Sequence, residues 1–160
     1  MTLTARDVMQ ATVKTVSEEM SLLELDREFL LEKVSGFPVV RGERLVGVVS
    51  RSDVVRQLSV ESSVSEIVSD YYHDVSGLEN VPLGKLEDIT ERMGEHLDNL
   101  RVRDFMTMRL VTVAPELGVR DVARILVERR IHRVPVVDDG RLVGIITTFD
   151  LTRLIAEDRV

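Results

Sequence analysis

The chain repeats itself at a fixed distance. Arg6-Asp7-Val8-Met9 returns as Arg103-Asp104-Phe105-Met106, and Pro38-Val39-Val40 returns as Pro135-Val136-Val137. Arg44-Leu45-Val46-Gly47 returns as Arg141-Leu142-Val143-Gly144, and Asp53 as Asp150. Each pair lies 97 residues apart, as 104 − 7 and 150 − 53 both show. An ungapped offset running from residue 6 to residue 53 marks two copies of one supersecondary unit. The strands of one copy are short and largely apolar, so a single copy would leave apolar sheet exposed. The fold is therefore expected to pair the copies around an approximate two-fold, with the function where they meet.

Within each copy the hydrophobic period changes along the chain. A β-branched run, Val13-Lys14-Thr15-Val16 or Leu110-Val111-Thr112-Val113, reads as a strand. Ser21 with Glu24 has capping-box spacing, after which Leu22, Leu25, Phe29 and Leu30 recur at helical intervals. In the second copy Gly118 and Asp121 open the matching helix, whose face carries Val119, Val122, Ile125 and Leu126. Two short strands follow, over 37–40 and 45–50 and again over 134–137 and 142–147. Asp139-Gly140 predicts a tight hairpin, and Arg41-Gly42-Glu43 a looser one. Pro38 and Pro135 have no N–H to give a ladder and belong at strand starts or edges. A second helix begins near Asp53 and near Asp150. The order is β-α-β-β-α, twice, an α+β (α/β) fold class.

The connection between the copies is not featureless. Ser63-Val64-Ser65-Glu66 is a second capping-box pattern, and Val64, Ile67, Val68, Tyr71 and Val75 follow at helical spacing. Leu86, Ile89, Met93, Leu97 and Leu100 predict another helix from Lys85 to about Leu100. Both are expected to extend the core, and Tyr71-Tyr72-His73 to pack rather than to bind.

Composition removes several functions. A net charge of −7 opposes nucleic-acid binding, which needs a basic face. The absence of cysteine excludes disulfides, thiolate metal sites and thiol catalysis. His73, His96 and His132 lack zinc-ligand spacing, so no metal site is expected. Gly77 and Gly84-Lys85 miss the spacing of a phosphate-binding loop, and no nucleophile stands beside a base. Catalysis is not expected. No apolar run approaches the ~20 residues of a membrane helix. Met1 to Asp7 has no signal core, which makes the cytoplasm the expected location.

Four motifs, in order and duplicated, resemble those of the CBS domain. They are Val102-Arg103-Asp104-Phe105-Met106; Gly36-Phe37-Pro38 with Arg133-Val134-Pro135; the Leu-Val-Gly segments at 45–47 and 142–144; and the endings Ser50-Arg51-Ser52-Asp53 and Thr147-Thr148-Phe149-Asp150. The chain is similar to a tandem CBS pair, or Bateman module, with repeats over 3–58 and 100–156 and a helical insertion over 59–99. That resemblance implies a disc with a cleft on each side. It implies a regulatory module that senses AMP, ADP, ATP or S-adenosylmethionine there, with magnesium possible beside ATP and no resident cofactor. It also implies a homodimer and an unknown downstream protein.

The resemblance assigns roles residue by residue. Asp53 and Asp150 would take the ribose hydroxyls, since a carboxylate is an acceptor for both. Ser50 and Thr147, three residues earlier, would face ribose or phosphate at a helix mouth, where N–H groups and the helix dipole favour an anion. Arg51, Thr148, His132 and Arg133 are further candidates for ribose or phosphate. Lys14, Thr15, Val16, Val111, Thr112 and Val113 would lie beside the adenine. Gly36, Phe37, Pro38, Val134 and Pro135 would form the opposite wall. The clefts should differ, because copy two has His132-Arg133 where copy one has Ser35-Gly36, and arginine suits phosphate. Simpler readings stand beside these. Asp53 and Asp150 would stabilise a first helical turn in any case, and His132 would be a solvated residue. Gly47 and Gly144 would serve close packing, and Met9 and Met106 would fill core. The alternative function is a ligand-free protein-interaction or dimerisation module.

Overall fold

The computed structural model describes residues 3–60 and 95–159. Along the first copy come α1 (Ala5–Val8), β1 (Val16–Ser17), α2 (Leu22–Glu32), β2 (Gly36–Arg41), β3 (Arg44–Ser50) and a helix over residues 51–60 (α3). A helical segment over 95–99 (α4) precedes α5 (Val102–Phe105), α6 (Val119–Arg129), β4 (Arg133–Asp138), β5 (Arg141–Thr147) and α7 (Thr148–Ala156). The helix expected after Ser63, most of the one expected after Lys85, and Tyr71-Tyr72-His73 lie outside the described residues.

Local chemistry explains the boundaries. Ser21 caps α2, its hydroxyl accepting from the Glu24 N–H while the Glu24 carboxylate accepts from the Ser21 N–H. Gly118 caps α6. Both helices stop at a residue in the left-handed region, Lys33 and Arg130. Asp139 and Gly140 both have positive φ, 48° and 79°, which is the two-residue turn expected. Gly42-Glu43 also makes a two-residue turn, with only Gly42 at positive φ, so the first hairpin is as short as the second rather than looser.

Two further expectations change. The opening strands are much shorter than the β-branched runs. β1 pairs in parallel with β2 only at Val16↔Val39 and Ser17↔Val40, and its counterpart is the single bridge Val113↔Val136. The prolines are the reason. The Val113 N–H donates to the Pro135 carbonyl and Val137 N–H to the Val113 carbonyl. The next rung of that ladder would need an N–H from Pro135, which has none. Leu30 is the second change. It is 66% exposed, so the buried stripe of α2 narrows to Leu22, Leu25 and Phe29.

The described chain forms two compact units, and neither is one repeat. The first comprises Met1–Ser17, Pro38–Val48 and Thr107–Val160. It contains residues of all five strands, in the order β1-β2-β3-β5-β4. β4 and β5 pair antiparallel from Arg133↔Thr147 to Asp138↔Arg141, and β3 meets β5 at Arg44↔Arg141. Isolated bridges join Gln10 to Ile145 and Thr107 to Val48. These two bridges exchange under the 97-residue offset, as does the Arg44–Arg141 pair with itself, which gives the sheet its local two-fold relation. The core of this unit is Ala5, Val8, Val113, Val119, Val122, Leu126, Val134, Val136, Ile146 and Leu154. A Cβ at Gly144 would overlap the Met9 side chain, so this glycine serves close packing as expected.

The second unit comprises Glu18–Phe37 and Val49–Met106. Among its described residues Leu22, Leu25, Phe29, Phe37, Val49, Val54 and Val102 are buried and apolar, and the rings of Phe29 and Phe37 stand 4.9 Å apart. The opening segments are exchanged between copies. Thr4 bridges Gly118 and the Ala5 N–H donates to Leu117, whereas Arg101 bridges Ser21 and the Val102 N–H donates to Met20. Each opening helix is thus completed by the helix entry of the other copy.

Candidate functional site

Each repeat ends its last strand in a helix whose first turn is organised by one carboxylate. In the first unit Thr147 is the N-cap of α7, and Asp150 folds back to accept from the Thr147 N–H at 2.8 Å and its hydroxyl at 2.7 Å. The Gln10 side-chain amide donates to both Asp150 oxygens, at 3.0 and 3.1 Å. Arg153 Nη2 stands 3.8 Å from Oδ1. The Asp150 side chain is 1% exposed. Burial by itself pushes its carboxyl up. The bonds from Thr147 and Gln10, with the nearby Arg153 charge, outweigh burial and hold it below the ordinary carboxylate range. Asp150 is therefore a buried, pre-organised anion.

The segment before Pro135 is tied to this junction, because the Thr148 N–H donates to the His132 carbonyl at 2.9 Å. Thr148 and His132 are exposed and Arg133 is half-buried. Val113, Val134 and Pro135 are buried, whereas Val111 is half-buried and Thr112 exposed. Of the proposed apolar walls in this repeat, Val111 and Thr112 keep the surface a ligand would need.

The second unit repeats the arrangement with differences. Asp53 accepts from the Ser50 N–H and hydroxyl, each at 2.8 Å, and from Arg56 at 3.1 Å. Its side chain is 10% exposed. The Arg51 N–H donates to the Ser35 carbonyl, matching Thr148 and His132. The Arg51 guanidinium lies over the Phe29 ring, 5.7 Å from its centroid, and donates to the Phe29 carbonyl at 2.6 Å. The phosphate candidate of this repeat is engaged with the end of α2, with part of its five-donor fork in use. Gly36 sits where a Cβ would come within 3.1 Å of the Val49 carbonyl oxygen, so the backbones approach closely there. Phe37 is buried in this unit.

Lys14, Thr15, Val16 and Pro38 belong to the first unit. Val16 and Pro38 are buried and Lys14 is exposed. Thr15 lines a cavity of about 340 Å³ together with Ala11, Val13, Val40, Glu43 and Arg141. That cavity is walled by residues other than the two carboxylates.

Gln10 escaped the sequence reading. It lies one residue beyond the repeated Arg-Asp-x-Met motif, where the second copy has Thr107. The only available signal was that difference between copies, because the bond to Asp150 spans 140 residues. Among the described residues no group of three or more His, Cys, Asp or Glu is placed to hold a metal, and no helix is long and apolar enough to cross a membrane.

Comparison with known proteins now decides the family. A sequence profile of the CBS domain matches residues 5–60 and again residues 102–157. The chain belongs to the CBS domain family. As a CBS pair it is 32% identical over 148 residues to an uncharacterized protein from Methanocaldococcus jannaschii, covering 91% of this chain and 87% of that one. The solved structure of CBSX2 in complex with AMP is 26% identical, with 98% of each chain covered and a TM-score of 0.67. The CBS domain pair of protein MJ0100, solved with 5′-methylthioadenosine and S-adenosyl-L-methionine, is 21% identical, also with 98% of each chain covered and a TM-score of 0.66, and shares the fold. In other relatives the CBS pair is a smaller part, spanning 43% of one protein and 26% of another.

Proposed function

We propose that this CBS pair is a regulatory module that binds an adenine nucleotide or adenosine derivative, with Asp53 and Asp150 as the ribose anchors. The observation that carries this reading is the duplicated junction. In both copies a strand ends at a Ser or Thr N-cap, and a carboxylate at the third helical position accepts from that cap's N–H beside the helix mouth. The likeness to CBSX2, which was solved with AMP, supports AMP as the first ligand to test. Ser50, Thr147 and Thr148 border the ribose and phosphates in this reading, and His132 and Arg133 serve the phosphates. Magnesium accompanies the ligand if it is ATP. The reading assigns no catalysis to the chain. Regulation follows when the ligand binds one state of a larger assembly better than another, by no more than that difference in affinity.

Titration calorimetry with AMP tests the site. Asp53→Ala and Asp150→Ala are each expected to weaken one binding event by about ten- to a hundredfold, the value of hydrogen bonds to a charged acceptor. Affinities unchanged in both variants would remove the carboxylates from the site.

The module also pairs with a second copy in this reading. Leu30 and Val127 are 66% and 77% exposed, and Leu58 and Ile155 are 43% and 67% exposed. Both pairs are 97 residues apart, so the same helical positions of each repeat carry unburied apolar side chains. Sedimentation equilibrium is expected to give a dimer for the wild type and a monomer for the double variant Val127→Asp, Ile155→Asp. A wild-type monomer at micromolar concentration would refute the pairing.

A further inference from the structure

We propose that Gln10 is a built-in competitor for the ribose at Asp150, so that a ligand enters the second repeat's site only by displacing this side chain. The inference deepens the proposed function and rests on that reading. One amide nitrogen of Gln10 reaches both carboxylate oxygens, at 3.0 and 3.1 Å. Oδ1, the oxygen that Thr147 leaves free, is the acceptor that the vicinal hydroxyls of a ribose would take. Oδ2 is already committed to the Thr147 N–H and hydroxyl, and Arg153 borders Oδ1. An ionised carboxylate has about four acceptor positions. With these partners in place, a diol finds too few unless the amide leaves.

The geometry lets it leave. Asp150 is almost wholly buried, but Gln10 is an exposed residue that covers it from outside. Swinging the Gln10 side chain into water costs its bonds to Asp150 and moves no core residue. The ligand's hydroxyls then replace those bonds, so the exchange is close to balanced in hydrogen bonds and subtracts from affinity. Among the described residues no side-chain amide bonds to Asp53 in the first repeat. The position equivalent to Gln10 is Thr107, and Asp53 accepts from Ser50 and from the exposed Arg56. Gln10 therefore makes the two sites unequal, and in the opposite sense to the charge at His132-Arg133.

Calorimetric titration with AMP decides the matter, comparing Gln10→Ala and Gln10→Thr with native Gln10, all in an Asp53→Ala background so that the second site is read alone. The threonine places in copy one the residue that copy two already uses. Affinity at the second site is expected to rise about tenfold in both variants, which is about 1.4 kcal/mol. Binding that appears only in the Gln10 variants gives the same support in stronger form. A fall in affinity would make Gln10 a ligand contact and overturn the proposal, and no change would overturn it equally. The chain with Asp53 intact, titrated alongside, separates the two readings. AMP bound there but not gained by the Gln10 variants sinks this inference alone, whereas no AMP, ATP or S-adenosylmethionine bound by any form sinks the proposed function with it.

Discussion

Replacing Ile146 by alanine is expected to destabilise the protein by about 2–5 kcal/mol, the cost of deleting a fully buried aliphatic side chain and leaving a cavity. Ile146 is 0% exposed in β5, where its backbone partner is Val134. It belongs to the core with Leu126, Val136 and Leu154, so α6, β4 and α7 all contribute to the hole its loss would leave. Ile146 also immediately precedes Thr147, the cap that organises Asp150. The expected result is a lower urea midpoint with an unchanged slope, because the surface exposed on unfolding barely changes. Met108→Ala is the control, since Met108 is 71% exposed and a surface change of that kind moves stability by about 0.5 kcal/mol or less. A loss below about 1 kcal/mol for Ile146→Ala would mean that this core is not packed as described.

Ile146 shows what kind of information the sequence carries. Its burial was legible, because it lies in an apolar run repeated 97 residues earlier at Val49, which is also buried. The same holds for the helix caps at Ser21, Gly118 and Thr147, where short-range chemistry fixes the boundary. The opening strands misled because β-branched runs signal extended backbone, not pairing. Their pairing is limited by Pro38 and Pro135, whose missing N–H acts on a neighbour distant in sequence. Leu30 misled because helical spacing names a face wider than the contact available to it. The exchange of opening segments between copies was not legible at all. Nothing local distinguishes Thr4 pairing with Gly118 from Thr4 pairing with Ser21, since both helix entries follow one pattern. The Ser50–Asp53 and Thr147–Asp150 pairs were readable as the openings of the last helices, and the Gln10 bond to Asp150 was not.

The largest effect at the site is expected from Asp150→Ala, which at neutral pH should cost about 1–3 kcal/mol of stability by removing a buried acceptor from its donors. The Thr147 N–H and hydroxyl and the Gln10 amide all lose that acceptor. The pH dependence gives the sign. The native carboxyl is held below its ordinary value, so the unfolded chain takes up this proton first and acid favours unfolding. The contribution is complete above about pH 5. It shrinks as pH falls through the unfolded carboxylate range near 3.9, and it is gone below the depressed native value. The stability gap between wild type and Asp150→Ala should therefore narrow as pH is lowered from about 5 toward 3, and a gap that widened would contradict the geometry. Asp53→Ala should cost less, because its carboxylate is more exposed and one of its partners is the exposed Arg56. Capping and ligand binding are then separated by Asp150→Asn. The amide keeps one oxygen to accept from the Thr147 N–H and hydroxyl. Its NH₂ group cannot accept a hydroxyl proton. That variant should retain most of the stability and still lose about tenfold or more in AMP affinity at the second site. If it loses stability but keeps AMP, Asp150 is a helix cap alone, and the ribose role passes to Asp53 or to neither.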